Sequence, residues 1–231
     1  MRNSLLIFSF FLLMAGSVFS QQPGDCKIQF EPQFNSERLK PGYFYNLQNG
    51  DSLQITTLKF YVSGIELLWD SKIVYKESNS YHLIDASENS SMLISLAGTA
   101  SIKYNQIQFC IGIDSLTNFS GARGGHLDPT QGMYWTWQNG YINFKMEGRS
   151  NKCNSHNNEF QFHLGGFQYP FNSLQPVTLK VTQKELITIE LDIEKLISEI
   201  NFTENDHIMS PGKEAMVLAG KLPKICSITE N

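Results

Sequence analysis

Five histidines, His82, His126, His156, His163 and His207, are the side chains of this sequence best suited to hold a metal ion. An imidazole is a common metal ligand, and a rigid strand is a good way to present one. His82 lies in Tyr81-His82-Leu83-Ile84-Asp85, and His163 in Phe160-Gln161-Phe162-His163-Leu164. In both segments the flanking apolar residues fall on the opposite face of a strand from the imidazole. His126 stands in a glycine-rich loop, His156 in the polar stretch 151–158, and His207 close to Met209. These three read as solvated loop histidines, although His207 with Met209 offers the nitrogen and sulfur donors of a soft copper site. Trp135 and Trp137, one residue apart, would share a face on a strand. They would either plug a core or form an aromatic pair for redox chemistry or ligand stacking.

Other catalytic arrangements are missing from the sequence: it has no GxSxG, no HExxH, no phosphate-cradling glycine loop after a strand and no EF-hand loop. Asp128 and Glu147 read as a loop brace and a surface strand residue rather than as an acid–base pair. An enzyme is therefore not expected. The formal charge is −4 with no run of Lys or Arg, which leaves no electrostatic footprint for nucleic acid or anionic membrane. Cys26, Cys110, Cys153 and Cys226 include no CxxC pair, which disfavours a zinc ribbon. Behind an export signal they read as two disulfides of open connectivity, with Cys26–Cys226 and Cys110–Cys153 preferred. Asn89, Asn118 and Asn201 match the glycosylation acceptor pattern, which implies surface exposure and nothing more.

The elements that must position these residues are mostly strands. Residues 1–20 have the pattern of a secretory signal: Arg2, the apolar run Leu5 to Met14, and a small-residue site at Val18-Phe19-Ser20. The apolar run is shorter than the ~20 residues of a membrane-spanning helix, so a secreted or periplasmic protein is expected, with no membrane insertion once the signal is removed. Residues 21–231 read as a single domain. Strands are expected over 53–64, 72–75, 81–84, 101–113, 141–146, 159–164, 177–181 and 186–191. The clearest alternation is Ile107, Phe109, Ile111 and Ile113 against Gln106, Gln108, Cys110 and Gly112. Asn49-Gly50-Asp51 and Asn139-Gly140 mark hairpins. Helices are expected over 192–200 and over 211–222, the latter with Ser210 as N-cap and Pro211 in its first turn. The fold class is mostly β, an antiparallel β-sandwich with one or two short C-terminal helices.

Several blocks occur together and in order: Tyr81-His82-Leu83-Ile84-Asp85, Phe109-Cys110-Ile111-Gly112-Ile113-Asp114, Leu127-Asp128-Pro129, Gly132-Met133-Tyr134-Trp135-Thr136-Trp137, Met146-Glu147-Gly148, Phe162-His163-Leu164-Gly165-Gly166 and Met209-Ser210-Pro211-Gly212. Together they resemble the MbnP family over nearly the whole mature chain. The resemblance implies an exported bacterial β-sandwich of copper handling. It also implies a di-haem peroxidase-like partner of the MauG type and, in studied relatives, a tryptophan oxidised to kynurenine beside copper-binding histidines. Carried over, it makes His82 and His163 the copper ligands and leaves His126 as an additional ligand the family does not imply. Ser80 and Tyr81 occupy the stretch where relatives place the oxidised tryptophan, so Trp135 and Trp137 are the remaining candidates for oxidation. The rival reading is a β-sandwich recognition module that binds a protein or glycan through the aromatic face of Trp135 and Trp137.

Overall fold

Period-two alternation of apolar and polar residues writes most of the frame. The structure, a computed structural model, describes residues 24–47 and 50–229. The expected signal segment and Asn49 of the first hairpin lie outside them. In chain order the strands are β1 (Cys26–Phe34), β2 (Glu37–Arg38), β3 (Phe44–Asn46), β4 (Ser52–Trp69), β5 (Lys72–Lys76), β6 (Tyr81–Asp85), β7 (Leu93–Leu96) and β8 (Gln106–Ile111). They continue with β9 (Tyr134–Trp135), β10 (Gly140–Ser150), β11 (Glu159–Gly165), β12 (Phe167–Gln168), β13 (Phe171–Asn172), β14 (Gln175–Lys180), β15 (Leu186–Asp192), β16 (His207–Ile208) and β17 (Cys226–Ile228).

The strands form a five-stranded sheet, β17-β15-β1-β2 with β7 also on β1, a ten-stranded sheet along β14-β8-β4-β10-β11-β16, and a two-stranded β12-β13 hairpin. β3, β5 and β6 pair with the long β4, and β9 pairs with β10. Between the sheets lies a core to which β1 gives Ile28, Phe30 and Phe34, β4 gives Leu58, Phe60 and Val62, and β8 gives Ile107, Phe109 and Ile111. Phe30 meets Phe60 and Phe109 edge-on, with ring centres 6.1 and 5.4 Å apart. The architecture is the mostly-β sandwich expected. Two pairings are parallel, β1 with β15 and β11 with β16. No tight turn links the members of either pair, so nothing forces them to run antiparallel.

A second apolar cluster covers the opposite face of the large sheet. Tyr61 and Leu83 from the sheet pack with Ile113, Leu127, Met133, Trp135, Tyr141 and Ile142. The loop from Ile113 to Tyr141 is thereby laid across β4 and β6.

The helices are α1 (Ser115–Phe119), α2 (Ile193–Ser198) and α3 (Lys213–Ala219). Asp114 caps α1 by accepting from the Thr117 N–H, and Asp192 caps α2 in the same way through Lys195. The last helix departs from expectation. Its N-cap is Gly212, so Ser210 and Pro211 lie outside it. None of these helices is long and apolar enough to cross a membrane.

The expected disulfides are overturned: all four cysteines are free. Cys226 sits opposite Leu191 on β15, which in turn sits opposite Pro32, while Cys26 lies at the far end of β1. At ~3.3 Å per residue that is about 20 Å, well beyond the ~7 Å between Cα atoms that a disulfide tolerates. Cys110 faces Ser63 of β4, whereas Cys153 follows Ser150, which faces Leu53. Those two points of β4 are roughly 30 Å apart. Asn118 is another departure. It is buried, and its amide donates to the carbonyls of Ile113 and Asp114, so it presents no surface acceptor.

Candidate metal centre

The two histidines named first do not meet. His82 on β6 pairs with Val62, in the row that faces the inter-sheet core, as does its neighbour pair Ile84 and Phe60. His163 on β11 pairs with Lys145, which pairs with Lys59 in the opposite row. Three inter-strand spacings separate β6 from β11, or about 14 Å, and the side chains point to opposite faces. His163 is instead a buried side chain whose Nε2 lies 2.7 Å from Glu147 Oε1. The expectation that His82 and His163 form one metal site is corrected by this register.

His126 is the histidine that approaches His82, with ring centres 5.7 Å apart and planes inclined by 56°. The loop that carries it is shaped for the purpose. Gly125 adopts a positive φ of 68° at the start of the short turn Gly125–Leu127, a conformation glycine takes without strain. Two tyrosines from the sheet then hold the loop backbone. Tyr61 donates its hydroxyl hydrogen to the His126 carbonyl at 3.2 Å, and Tyr141 donates to the Leu127 carbonyl at 3.1 Å. The tyrosine rings pack edge-to-face, 5.7 Å apart. Leu83 N–H donates to His126 Nδ1 at 3.3 Å, tying the loop to β6. His82 in turn faces Glu77, whose carboxylate oxygens lie 2.9 and 3.1 Å from Nε2.

Electrostatics favour a neutral ring on His126, because burial and the neighbouring His82 both push its pKa down. Burial raises the Glu77 carboxyl, but hydrogen bonds from His82 and Ser80 outweigh it and hold the group below its usual range. With metal–nitrogen bonds of about 2 Å, two imidazoles sharing an ion have ring centres roughly 5–6 Å apart, and the observed spacing fits. Among the described residues, no group of three or more His, Cys, Asp or Glu side chains is arranged to hold a metal. An ion held by this pair would take two nitrogen donors from the protein.

The remaining candidates separate. His156 is exposed, and exposed His207 places its Nδ1 2.8 Å from its neighbour Asp206. Trp135 is buried on β9 and Trp137 is 65% exposed in the turn to β10. Their rings still touch, with centres 5.6 Å apart, although Trp137 is not on a strand. Trp135 shares the outer apolar cluster with Leu83 and Leu127, the immediate neighbours of His82 and His126. Glu77 escapes a sequence reading because it lies in a turn otherwise made of Ser and Asn. No local pattern marks it: β5 and β6 run one after the other antiparallel to β4, and the residues between them bulge out so that Glu77 lies beside His82.

The sequence model of the family described as MbnP matches residues 23–211. No curated protein matches the chain. Among solved structures, "MbnP from Methylosinus trichosporium" superposes with a TM-score of 0.57 at 14% identity, covering 82% of each chain. At that identity the likeness is one of fold.

Proposed function

Because the chain belongs to the MbnP family, we propose that it is an exported copper-binding protein that catalyses no reaction and holds its ion between His82 and His126. The observation that carries this reading is the 5.7 Å approach of two imidazoles from separate elements. Copper is cargo here, and the protein's task is to present nitrogen donors in a fixed frame. His82 is free to donate through the nitrogen that Glu77 does not engage. His126 becomes a ligand by exchanging one long hydrogen bond, from Leu83 N–H, for the metal.

A di-haem MauG-type protein is the proposed partner. Of the Trp135–Trp137 pair, Trp137 is the one such a partner can reach, since it is 65% exposed and Trp135 only 6%. Peptide mapping after co-production tests this: kynurenine appears as one oxygen gained and one carbon lost at Trp137. Unmodified tryptophan removes that part of the reading. Exposure of Trp137 also favours a second reading, an aromatic recognition surface for protein or glycan.

Copper titration of the mature protein separates the two. Wild type and His163→Ala are expected to bind one ion with equal affinity, whereas His82→Ala and His126→Ala lose the site. Equal binding by all four proteins, or none by wild type, would overturn the copper reading.

A further inference from the structure

We propose that Glu77 is the positioning residue of the histidine pair: it takes the Nε2–H of His82 and thereby commits Nδ1 as the metal-binding atom. The inference rests on the copper reading above and names the atom and the brace behind it. A carboxylate only accepts hydrogen bonds, so the ring nitrogen facing it must be the donor. Both carboxylate oxygens of Glu77 lie within 3.1 Å of Nε2. A neutral imidazole carries one N–H, so fixing it at Nε2 leaves the only free lone pair on Nδ1.

Glu77 is itself held from several sides. The Ser80 hydroxyl donates to Glu77 Oε2. That same hydroxyl accepts from Ile65 N–H at 2.9 Å. The backbone closes the turn at both ends: Glu77 N–H donates to the Ile65 carbonyl at 3.0 Å, and Gly64 N–H donates to the Ser80 carbonyl at 3.1 Å. The carboxylate is thus clamped to β4, the strand that also carries β6 and His82. Glu77 and His82 side chains are only 15% and 20% exposed, so water competes weakly for the bond. An imidazole hydrogen-bonded to a carboxylate is both oriented and a stronger donor, and loss of such a partner typically weakens metal binding by about 10–100-fold.

The test reads the tautomer directly. Nitrogen NMR of the metal-free protein is expected to show His82 protonated at Nε2 and unprotonated at Nδ1. Glu77→Leu should redistribute the proton between the two nitrogens, while Glu77→Gln, whose side-chain carbonyl accepts the same bond, should keep it at Nε2. Ser80→Ala, which frees the carboxylate without removing it, should give an intermediate mixture and serves if the leucine variant does not fold. In copper titration, affinity should fall about 10–100-fold in Glu77→Leu and less in Glu77→Gln. A proton on Nδ1 in wild type, or an unchanged tautomer in both Glu77→Leu and Ser80→Ala, overturns the proposal. Because the NMR is done without metal, that failure is distinct from a failure to bind copper.

Discussion

On the outer face of the large sheet, His163 Nε2 lies 2.7 Å from Glu147 Oε1. The hydrogen bond from His163, helped by Lys145 and opposed by burial, holds the Glu147 carboxyl down to about 2. A carboxylate depressed in the folded state stabilises the protein above its unfolded pKa and stops doing so as pH falls through the folded one. The window here runs from the ordinary carboxylate value near 4.5 down to about 2. Glu147 is 24% exposed by its side chain, so the shift is discounted for solvent screening to about 1–2 kcal/mol. Glu147→Gln is expected to lose that much stability at neutral pH and most of the slope across this acid window. Urea unfolding at a series of pH values measures both. Acid limbs of equal slope in the two proteins would show that the pair contributes nothing. His163 was legible as a strand histidine opposite Phe162 and Leu164, but its partner was not. The residue it meets is fixed by the register of β10 against β11, which no local pattern encodes. His126 failed in the converse way, since a histidine in a glycine-rich loop looks solvated until the loop is placed over β6.

Where β9, β10 and β11 come together, a glycine carries the packing. A Cβ on Gly165 would collide with the Trp135 ring and lie 2.8 Å from the Tyr141 carbonyl. Backbone cannot retreat as a flexible side chain can, so Gly165→Ala is expected to cost about 1–3 kcal/mol. It should also shift tryptophan emission, because Trp135 must move and Trp137 with it. Thermal unfolding and fluorescence check this, and an unchanged melting temperature would place the indole elsewhere. Strands with clean alternation were legible: β4, β6, β11 and β15 fall where their patterns put them, β4 runs on to Trp69, and β8 takes only 106–111 of the expected 101–113. The first strand was not, because Pro32 breaks its reading as an interior strand. The structure resolves this: β7 covers β1 only from Cys26 to Gln29, and β2 only at Gln33 and Phe34, so the edge beside Pro32 needs no N–H. α1 has five residues, too few to write a helical period.

Across the whole molecule, the sandwich is held by packing rather than by covalent staples. Both sheets contribute large, fully buried residues to one continuous core that reaches from Cys26 to Cys226, so the frame does not depend on disulfides as small secreted domains often do. Cys26, Cys153 and Cys226 pack in the core while Cys110 does not, and the two preferred pairs are too far apart to bridge. Their reactivity should then follow burial. Cys110 is half-buried on the outer row of β8, whereas Cys226 is buried and its thiol is pushed up to about 12, and burial with nearby Asp206 raises Cys153 to about 11. Thiolate is the reactive form, so a high pKa and lack of access act in the same direction. Native protein treated with an alkylating reagent should be labelled at Cys110 first, with Cys226 and Cys153 labelled only as the core opens. In denaturant without reductant all four should react. A disulfide in the native protein, seen as a reductant-sensitive peptide joining Cys26 to Cys226 or Cys110 to Cys153, would mean that the strand registers of β1, β15 and β17, or of β4, β8 and β10, are wrong, and with them the frame that brings His126 to His82.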